Sequence, residues 1–387
     1  MTELVPEIRF GGFTEPWEQR KLGEVADRYD NLRIPITASE RVPGSTPYYG
    51  ANGIQDYVEG FTHQGEFVLI AEDGASDLDN YPTMCINGII WVNNHAHVIQ
   101  GRKGITDNHF IAWSIKRCDI KPMLTGGTRA KLNAEVLMGM RISTPNHAEQ
   151  ISIGSFFEHL DSLITLHQRK YDKLVAFKKA LLEKMFPKEG EAVPEIRFAG
   201  FTDPWEQRKL NELATMHARI GWQNLRKSEF LDNGDYLLIT GTDFENGFIN
   251  YEECHYVKKE RYDQDPNIQI HDGSILLTKD GTIGKVAFVQ ALRKPATLNA
   301  GVFNIVVKKE KSTDARYLYH YLKGPYLIDY IDRCATGGTI KHLNQDLLVN
   351  FPVLFPDTNE QKLIGTLLSG LDNLITLHQC KYSDLKL

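Results

Sequence analysis

The chain has 387 residues and a formal net charge of −6, and 42% of its residues are hydrophobic while 24% are charged. This is the ordinary composition of a soluble protein, and the length is sufficient for two or three domains with their own cores. No apolar run approaches about 18 residues and the N-terminus lacks a signal-peptide pattern, so we expect a cytoplasmic protein that does not enter a membrane.

A framework sequence occurs twice in the chain. The segment PEIRF-x-GFT-x-PWEQRKL at 6–22 returns at 194–210, an offset of 188 residues. The segments TGGT at 125–128 and LITLHQ at 163–168 return at 336–339 and 374–379, an offset of 211. Because the offset grows from 188 to 211, the second copy contains 23 additional residues. A constant frame around divergent interiors predicts one scaffold with two different binding surfaces.

Two β-rich regions are predicted, one in each copy. Residues 24–144 contain short runs of Val, Ile, Tyr and Phe separated by Gly, Pro and Asn turns, and residues 212–355 show the same pattern. The PWEQRKL segment that leads into each region fits either the start of a helix or a strand.

A long helix is predicted after each β-rich region. Between 149 and 186 apolar and aromatic residues alternate three and four apart, and no Gly follows Gly154, which predicts an unbroken helix of about 35 residues. The second copy repeats this stripe, so we expect the two helices to pair with each other. The predicted helix-pairing residues are Phe157, Leu160, Ile164, His167, Tyr171, Leu174, Leu371, Ile375, His378 and Tyr382.

These patterns divide the chain into four parts. A first β-rich domain at 1–146 is followed by a helix at 147–187, a second β-rich domain at 188–357 and a shorter helix at 358–387. We therefore expect an α+β protein with a pseudo-twofold internal repeat.

Candidate binding residues of the first domain are those whose chemistry suits a nucleic acid. Tyr48, Tyr49 and Asn52 belong to a YYGANG segment, in which aromatic rings could pack on bases and Asn could read adenine. A hairpin turn with surface tyrosines explains the segment equally well. Asn31 and Arg33 lie where the two copies begin to diverge, and both residue types read base edges. A solvated loop is the alternative.

The second domain has two candidate segments. The first follows the repeated frame at the position that matches Asn31, and its candidates are Trp222, Gln223, Asn224 and Arg226. The second is a Gly-rich turn, where Lys279, Thr282 and Lys285 could lie near a phosphate, although a plain hairpin is as good an explanation. Its spacing differs from that of a nucleotide-binding P-loop.

The repeated TGGT segments join glycines, hydroxyls and basic residues. They suit a phosphate contact or a structural turn leading to the helix, and the candidates are Thr128, Arg129, Lys131, Thr339 and Lys341. In the helices, His167 and His378 occupy core positions, where polar residues that fix the register are favoured over a metal site or a pH switch.

Taken together, these motifs resemble those of the specificity subunits of Type I restriction-modification systems. The resemblance covers the whole chain and rests on three paired features: the PEIRF…PWEQRKL segments, the Leu-Asn pairs after TGGT at 132–133 and 343–344, and the Pro…Glu-Gln starts of the LITLHQ helices. It implies two target-recognition domains separated by two long antiparallel helices. It also implies that each domain reads one half of a bipartite, asymmetric double-stranded DNA sequence, together with two methyltransferase subunits and, in systems that have them, restriction subunits.

Catalytic motifs are missing from the sequence. No Pro-Pro dipeptide occurs, so the N/D-P-P-Y/F motif of an amino-methyltransferase is absent, and no Gly-rich loop follows a strand as a cofactor fold requires. The five cysteines are widely spaced without a C-x-x-C pair, which is typical of reduced thiols rather than disulfides or a zinc site. We expect a non-catalytic chain that holds no metal or cofactor. The resemblance implies that S-adenosylmethionine, ATP and magnesium are bound by partner subunits.

Two other functions stay open. A repeated scaffold that binds proteins or glycans is favoured by the net charge of −6, because a DNA-binding surface needs Lys and Arg to neutralise phosphates. That argument weakens if partner subunits supply most of the phosphate contacts. A free-standing repressor is less favoured, since the sequence lacks a helix-turn-helix pattern.

Overall fold

A computed structural model describes residues 5–127, 130–188, 190–334 and 343–385. The chain divides into two compact units, Met1–Thr165 and Leu166–Leu387, and this division falls inside a long helix. The four-part division at 146, 187 and 357 therefore stays a prediction. Among the described residues, no helix is both long enough and apolar enough to cross a bilayer.

The first unit is built around one six-stranded sheet. Its strands and helices are β1 Glu18–Lys21, α1 Leu22–Val25, β2 Ala26–Arg28, β3 Pro43–Gly50, β4 Gly53–Val58, β5 His63–Ala71, β6 Thr83–Val92, β7 Ala96–Gly101, α2 Asn108–Lys116, α3 Ala134–Gly139, β8 Arg141–Thr144 and α4 His147–Lys184. The sheet has the order β2-β7-β5-β6-β3-β4. Only β3 and β6 pair in parallel, through Tyr48 and Trp91, while the other neighbours are antiparallel.

The core of the first unit lies on both faces of β5. Because successive side chains of a strand point to opposite faces, Val68 and Ile70 pack with Ile111 of α2, whereas Leu69 packs with Ile90 on the other face. All these side chains are buried. The central strand of the domain is therefore apolar on both sides, which explains its continuous hydrophobic run.

The second unit has two four-stranded sheets in place of one large sheet. Its elements are β9 Glu206–Lys209, α5 Leu210–Leu213, β10 Ala214–Ala218, β11 Tyr236–Ile239, β12 Phe244–Glu245, β13 Phe248–Ile249, β14 His255–Val257, α6 Lys259–Tyr262, β15 Gln269–Ile270, β16 Ile275–Thr278, β17 Val286–Phe288, β18 Ala296–Leu298, β19 Val302–Val307, α7 Ala315–Lys323, α8 Pro325–Cys334, α9 Gln345–Val349, β20 Pro352–Phe355 and α10 Thr358–Asp384. The sheet orders are β10-β19-β16-β17 and β14-β11-β18-β15.

The repeated PWEQRKL segment has the same structure in both units. It forms a short strand followed by one helical turn, β1 with α1 and β9 with α5. Each strand pairs antiparallel with the strand that precedes a long helix, β1 with β8 and β9 with β20. The sequence left a helix start and a strand open, and both occur in succession.

A bidentate ion pair fastens each PEIRF segment to the first turn of the long helix in its own unit. The Arg9 guanidinium donates to both carboxylate oxygens of Glu149 at 2.7 Å. In the second unit Arg197 binds Glu360 in the same way, at 2.7 and 2.8 Å. Both glutamates are fully buried. We call this contact the frame clamp, and it explains why the arginine and the glutamate recur in both copies.

A second repeated contact joins each long helix to its domain. Gln150 donates to the carbonyl of Pro145 at 2.8 Å and accepts from the backbone N–H of Asp107 at 3.1 Å. Gln361 makes the same two contacts with Pro356 and Asp314, at 2.8 and 2.9 Å. The frame is thus repeated in atomic detail, although the sheets between its parts differ.

Within the second unit, the end of α4 packs against α10. His167 Nδ1 lies 2.8 Å from His378 Nδ1, and the buried Lys178 forms an ion pair with the buried Asp372. Since the later residue of α4 meets the earlier residue of α10, the helices run antiparallel. The predicted α+β class, with its internal repeat and antiparallel helix pair, is confirmed.

The predicted helix-pairing residues divide between two settings. Leu174 packs against the core cluster that contains Leu371, and Tyr171, Ile375 and Tyr382 are half-buried on the same stripe. Phe157 instead stacks on Trp113 of α2, with ring centroids 4.4 Å apart, so it fastens α4 to the first domain. Pairing through Leu160 and Ile164, which are half-buried, stays a prediction.

Candidate nucleic-acid interface

The structure places the two candidate tyrosines of the first domain in its interior. Tyr48 and Tyr49 lie in β3 and are 1% and 6% exposed. The Tyr48 hydroxyl lies 3.2 Å from the backbone of Ile36, and the Arg41 guanidinium covers its ring at 4.3 Å. Their side chains form part of the core, so a stacking role on a base does not fit this position. The physical reason is that β3 is an inner strand of the sheet.

The other candidates near the same sheet include two exposed asparagines. Asn31 is exposed in a 3-10 turn. Asn52 is exposed too, but its amide donates to the carbonyl of Gly74 at 2.9 Å and accepts from the N–H of Ser76 at 2.8 Å. Asn52 therefore braces the neighbouring loop, whereas Asn31 presents its side chain to solvent.

Arg33 and Lys131 meet at one buried carboxylate. Glu72, which follows β5, accepts from Arg33 Nη1 at 2.5 Å and from Lys131 Nζ at 2.7 Å. His97 Nδ1 lies 2.7 Å from Asp30 and 3.5 Å from Glu72. We call these five residues the Glu72 network. It ties the loop before β3, the end of β5, strand β7 and the TGGT loop together.

The charges of the Glu72 network perturb one another. Burial raises the pKa of Glu72, but hydrogen bonds from Lys131 and Arg33 outweigh it, so the pKa lies below its usual value. The hydrogen bond to Glu72 in turn raises the pKa of Lys131. Both cations are thus held in an internal network, with the Lys131 side chain still 48% exposed. The neighbouring candidates Thr128 and Arg129 lie outside the described residues, as do Thr339 and Lys341.

The first candidate segment of the second domain is only partly at the surface. Gln223 is 3% exposed, and its amide oxygen accepts from the N–H of Ile220 at 3.3 Å. Arg219, which is also buried, donates to the Gln223 carbonyl at 3.3 Å. Asn224 and Arg226 are exposed beside this turn, and Trp222 belongs to the same 3-10 turn.

The Gly-rich turn between β16 and β17 is held by one hydroxyl. Thr278 Oγ1 donates to the carbonyl of Thr282 at 2.5 Å and accepts from the N–H of Lys285 at 2.9 Å. Gly281 and Gly284 have φ of 70° and 83°, a conformation that favours glycine. Lys279 covers the Phe303 ring at 5.5 Å, whereas Thr282 and Lys285 are exposed.

A polar groove opens at this turn, entirely within the second unit. It has a volume of about 450 Å³ and is lined by Phe230, Thr240, Gly241, Thr242, His255, Thr278, Asp280, Gly281, Thr282, Lys285, Asn299 and Gly301. The rings of Phe230 and His255 lie 5.3 Å apart along it. An amide, a carboxylate, hydroxyls and a lysine thus line the same groove as two flat rings. Sequence reasoning found Thr282 and Lys285 but missed Asp280, His255, Phe230 and Asn299.

The fold defines an α+β protein of two units with a repeated frame. The family model described as "Type I restriction modification DNA specificity domain" matches residues 14–176 and 202–387. The chain is 30% identical to a protein of Haemophilus influenzae provisionally named a type I restriction enzyme specificity subunit, covering 92% of this chain and 88% of the relative. It is 22% identical to the Type I restriction enzyme MjaVIII specificity subunit of Methanocaldococcus jannaschii, covering 94% and 88%.

A solved structure has the same fold. The S subunit of a Type I restriction-modification system from M. genitalium matches with a TM-score of 0.64 and 15% identity, covering 100% of this chain and 96% of that one. The chain therefore belongs to the family of Type I restriction-modification specificity subunits. Membership in this family implies target recognition on DNA.

Proposed function

We propose that this chain reads a bipartite, asymmetric DNA sequence, with one domain for each half-site, as a non-catalytic subunit of a restriction-modification complex. The observation that carries the proposal is the contrast between frame and interior. The frame clamp recurs with nearly the same distances in both units, while one domain has a six-stranded sheet and the other has two four-stranded sheets. Two recognition domains with different sheets, held by the same repeated frame, suit two different half-sites.

The polar groove is the proposed reading surface of the second domain. Asn side chains pair with adenine edges, and Asp accepts from the amino group of cytosine. Asn299 and Asp280 supply these groups, while Lys285 at the rim suits a backbone phosphate. The aromatic pair of Phe230 and His255 offers flat surfaces for sugars or bases.

Methyltransferase subunits are the proposed partners, and restriction subunits join in systems that have them. In this proposal the partners neutralise many of the DNA phosphates, which reconciles the net charge of −6 with DNA binding, and they hold S-adenosylmethionine, ATP and magnesium. We expect the complex to lie in the cytoplasm, because it acts on DNA there. We therefore expect the isolated chain to bind DNA weakly and with little sequence preference.

The proposal is tested by sequencing methylated adenines in a host that carries the complex. We expect a bipartite methylated motif that disappears without this chain. Asn299→Ala should relax or change one half of the motif only, since a lost bidentate contact is worth about 1–3 kcal/mol of discrimination. Asn350→Ala, at an exposed position outside the groove, is the matched control and should leave the motif unchanged. Methylation that does not depend on the chain would contradict the proposal.

A further inference from the structure

Three side chains that commonly bind metals converge in the first unit. Glu66 lies on β5, Cys85 on the neighbouring strand β6 and His109 on α2, which packs over the sheet. His109 Nε2 is 3.3 Å from Glu66 Oε1, and Cys85 Sγ is 3.8 Å from the same oxygen. The three donor atoms all lie within 4.8 Å of one another.

The separations of 3.3 and 3.8 Å from Glu66 Oε1 fit a tetrahedral cation. Zn²⁺ binds nitrogen and oxygen at about 2.0–2.2 Å and sulfur at about 2.3 Å, so its ligand atoms lie about 3.3–3.8 Å apart. With three protein ligands, Zn²⁺ keeps a water in its fourth position. The Glu158 carboxylate on α4, whose Oε2 lies 3.9 Å from His109 Nε2, adds a negative charge nearby. Sulfur, imidazole nitrogen and carboxylate oxygen are the donors that Zn²⁺ takes in proteins.

The electrostatics of this cluster favour a cation. Among the described residues, Glu66 and Glu158 are paired with His109 and with neither Lys nor Arg. The Asn108 amide donates to Glu66 Oε2 at 3.1 Å, which orients the carboxylate as the outer shell of a metal site does.

A second cluster in the same unit provides an internal comparison. Asp30, Glu72 and His97 meet the same distance limit of 4.8 Å. The Glu72 carboxylate of that cluster, however, already binds Arg33 at 2.5 Å and Lys131 at 2.7 Å. That cluster is neutralised by Arg and Lys side chains, whereas no Lys or Arg of the described part of the chain pairs with the Glu66 cluster.

We propose that Glu66, Cys85 and His109 form a Zn²⁺ site, although the wide spacing of the cysteines predicts none. Zn²⁺ forms a bond to the Cys85 sulfur as the thiol releases its proton to solvent, and neutral His109 binds through Nε2. The metal cross-links β5, β6 and α2. This proposal is independent of which DNA sequence the protein reads.

The test is a titration of the full chain, purified without metal, with Co²⁺ as a spectroscopic substitute. We expect one equivalent to produce thiolate-to-cobalt charge-transfer absorption, which Zn²⁺ then abolishes by displacement. Cys85→Ser should remove this absorption. Cys118→Ser, which changes another half-buried thiol of the same unit, is the matched control and should retain it. Glu66→Gln, which removes the carboxylate ligand at a half-buried position, should weaken Zn²⁺ binding at least tenfold while the circular dichroism spectrum stays unchanged.

Two results would overturn the proposal. If the wild-type chain gives no charge-transfer absorption, the cluster is only an ion pair between His109 and glutamates. If Cys85→Ser folds and retains both the absorption and the affinity, the metal binds elsewhere. Thermal unfolding provides an independent readout, because Zn²⁺ should raise the melting temperature of the wild type and of Cys118→Ser but not of Cys85→Ser.

Discussion

Glu72 is the residue on which the charged interior of the first domain depends. Its side chain is 11% exposed and receives two cations, and its backbone carbonyl accepts from the N–H of Leu132 at 2.7 Å. Removing one member of a buried ion pair leaves the partner charge without compensation in a medium of low dielectric constant.

Glu72→Gln should therefore destabilise the first domain. We expect a loss of about 3 kcal/mol in the free energy of unfolding, at the lower end of the usual range because Lys131 remains half-exposed. Urea denaturation measures this change. Glu135→Gln is the control, since that carboxylate is 91% exposed beside Arg28 and should change stability by less than about 1 kcal/mol. Equal effects from both variants would contradict a buried role for Glu72.

Individual contacts were the least predictable feature of the candidate site. Arg33 and Lys131 have the chemistry of DNA contacts, and no local pattern indicates that residue 72 lies between them. The same holds for the groove, where Asn299 and Phe230 are 69 positions apart in the sequence. Such juxtapositions follow from strand order, which a single sequence does not specify.

At the level of elements, α10 contains two glycines in contrasting surroundings. A Cβ at Gly365 would lie 2.8 Å from Asp314 Oδ1 and 2.8 Å from the Tyr317 nitrogen, whereas a Cβ at Gly370 would meet nothing within 4 Å. Asp314 caps α7 by accepting from the Tyr317 N–H at 2.9 Å. The contact between α10 and α7 therefore requires glycine at 365.

These two positions give a matched pair of substitutions. Gly365→Ala should destabilise the second unit by about 1–3 kcal/mol, because the methyl group forces the cap of α7 apart. Gly370→Ala should stabilise it by up to about 1 kcal/mol through helix propensity. Chemical denaturation of both variants measures the difference, and a stabilising Gly365→Ala would refute the close approach.

The histidine pair predicts a pH dependence of the helix contact. Burial lowers the pKa of His378, and the charges of His167, Lys170 and Lys381 lower it further. A group with a lowered folded-state pKa binds protons preferentially in the unfolded state, so stability is lost as the pH falls through the unfolded value of about 6.5.

The expected result is a melting temperature that falls more steeply below pH 6.5 for the wild type than for His378→Gln. His159→Gln, which changes an exposed histidine of α4, should keep the wild-type slope. Thermal unfolding followed by circular dichroism between pH 5 and 8 measures these slopes. Equal slopes for all three proteins would mean that protonation of His378 does not weaken the contact between α4 and α10.

The helices were well predicted because their signal is local. The three-four spacing gave a first helix from about 149 to 186, and α4 spans His147–Lys184. The sheets were harder: the run at 67–70 lies in β5, but nothing in that run indicates that β3 and β6 pair in parallel. Phe157 fits the apolar stripe of α4, and that stripe does not indicate that its ring stacks on Trp113 of the first domain.

For the whole molecule, the repeat predicts modular exchange. Replacing 23–145 by the equivalent stretch of a relative should change one half of the methylated motif and leave the other half intact. The physical reason is that the frame clamp of each unit uses residues outside this stretch, Arg9 and Glu149 in the first unit. Methylome sequencing of the hybrid decides the question, and a change in both halves would contradict independent readers.

The frame clamp also has a genetic consequence. Arg9 with Glu149 and Arg197 with Glu360 are equivalent contacts, and the two arginines lie in repeated segments of nearly identical amino-acid sequence. A crossover between those stretches would join the start of one copy to the interior of the other, and the hybrid protein would still contain a matched arginine and glutamate. The gene can thus be rearranged at its own repeats without breaking the junction that holds a domain in place.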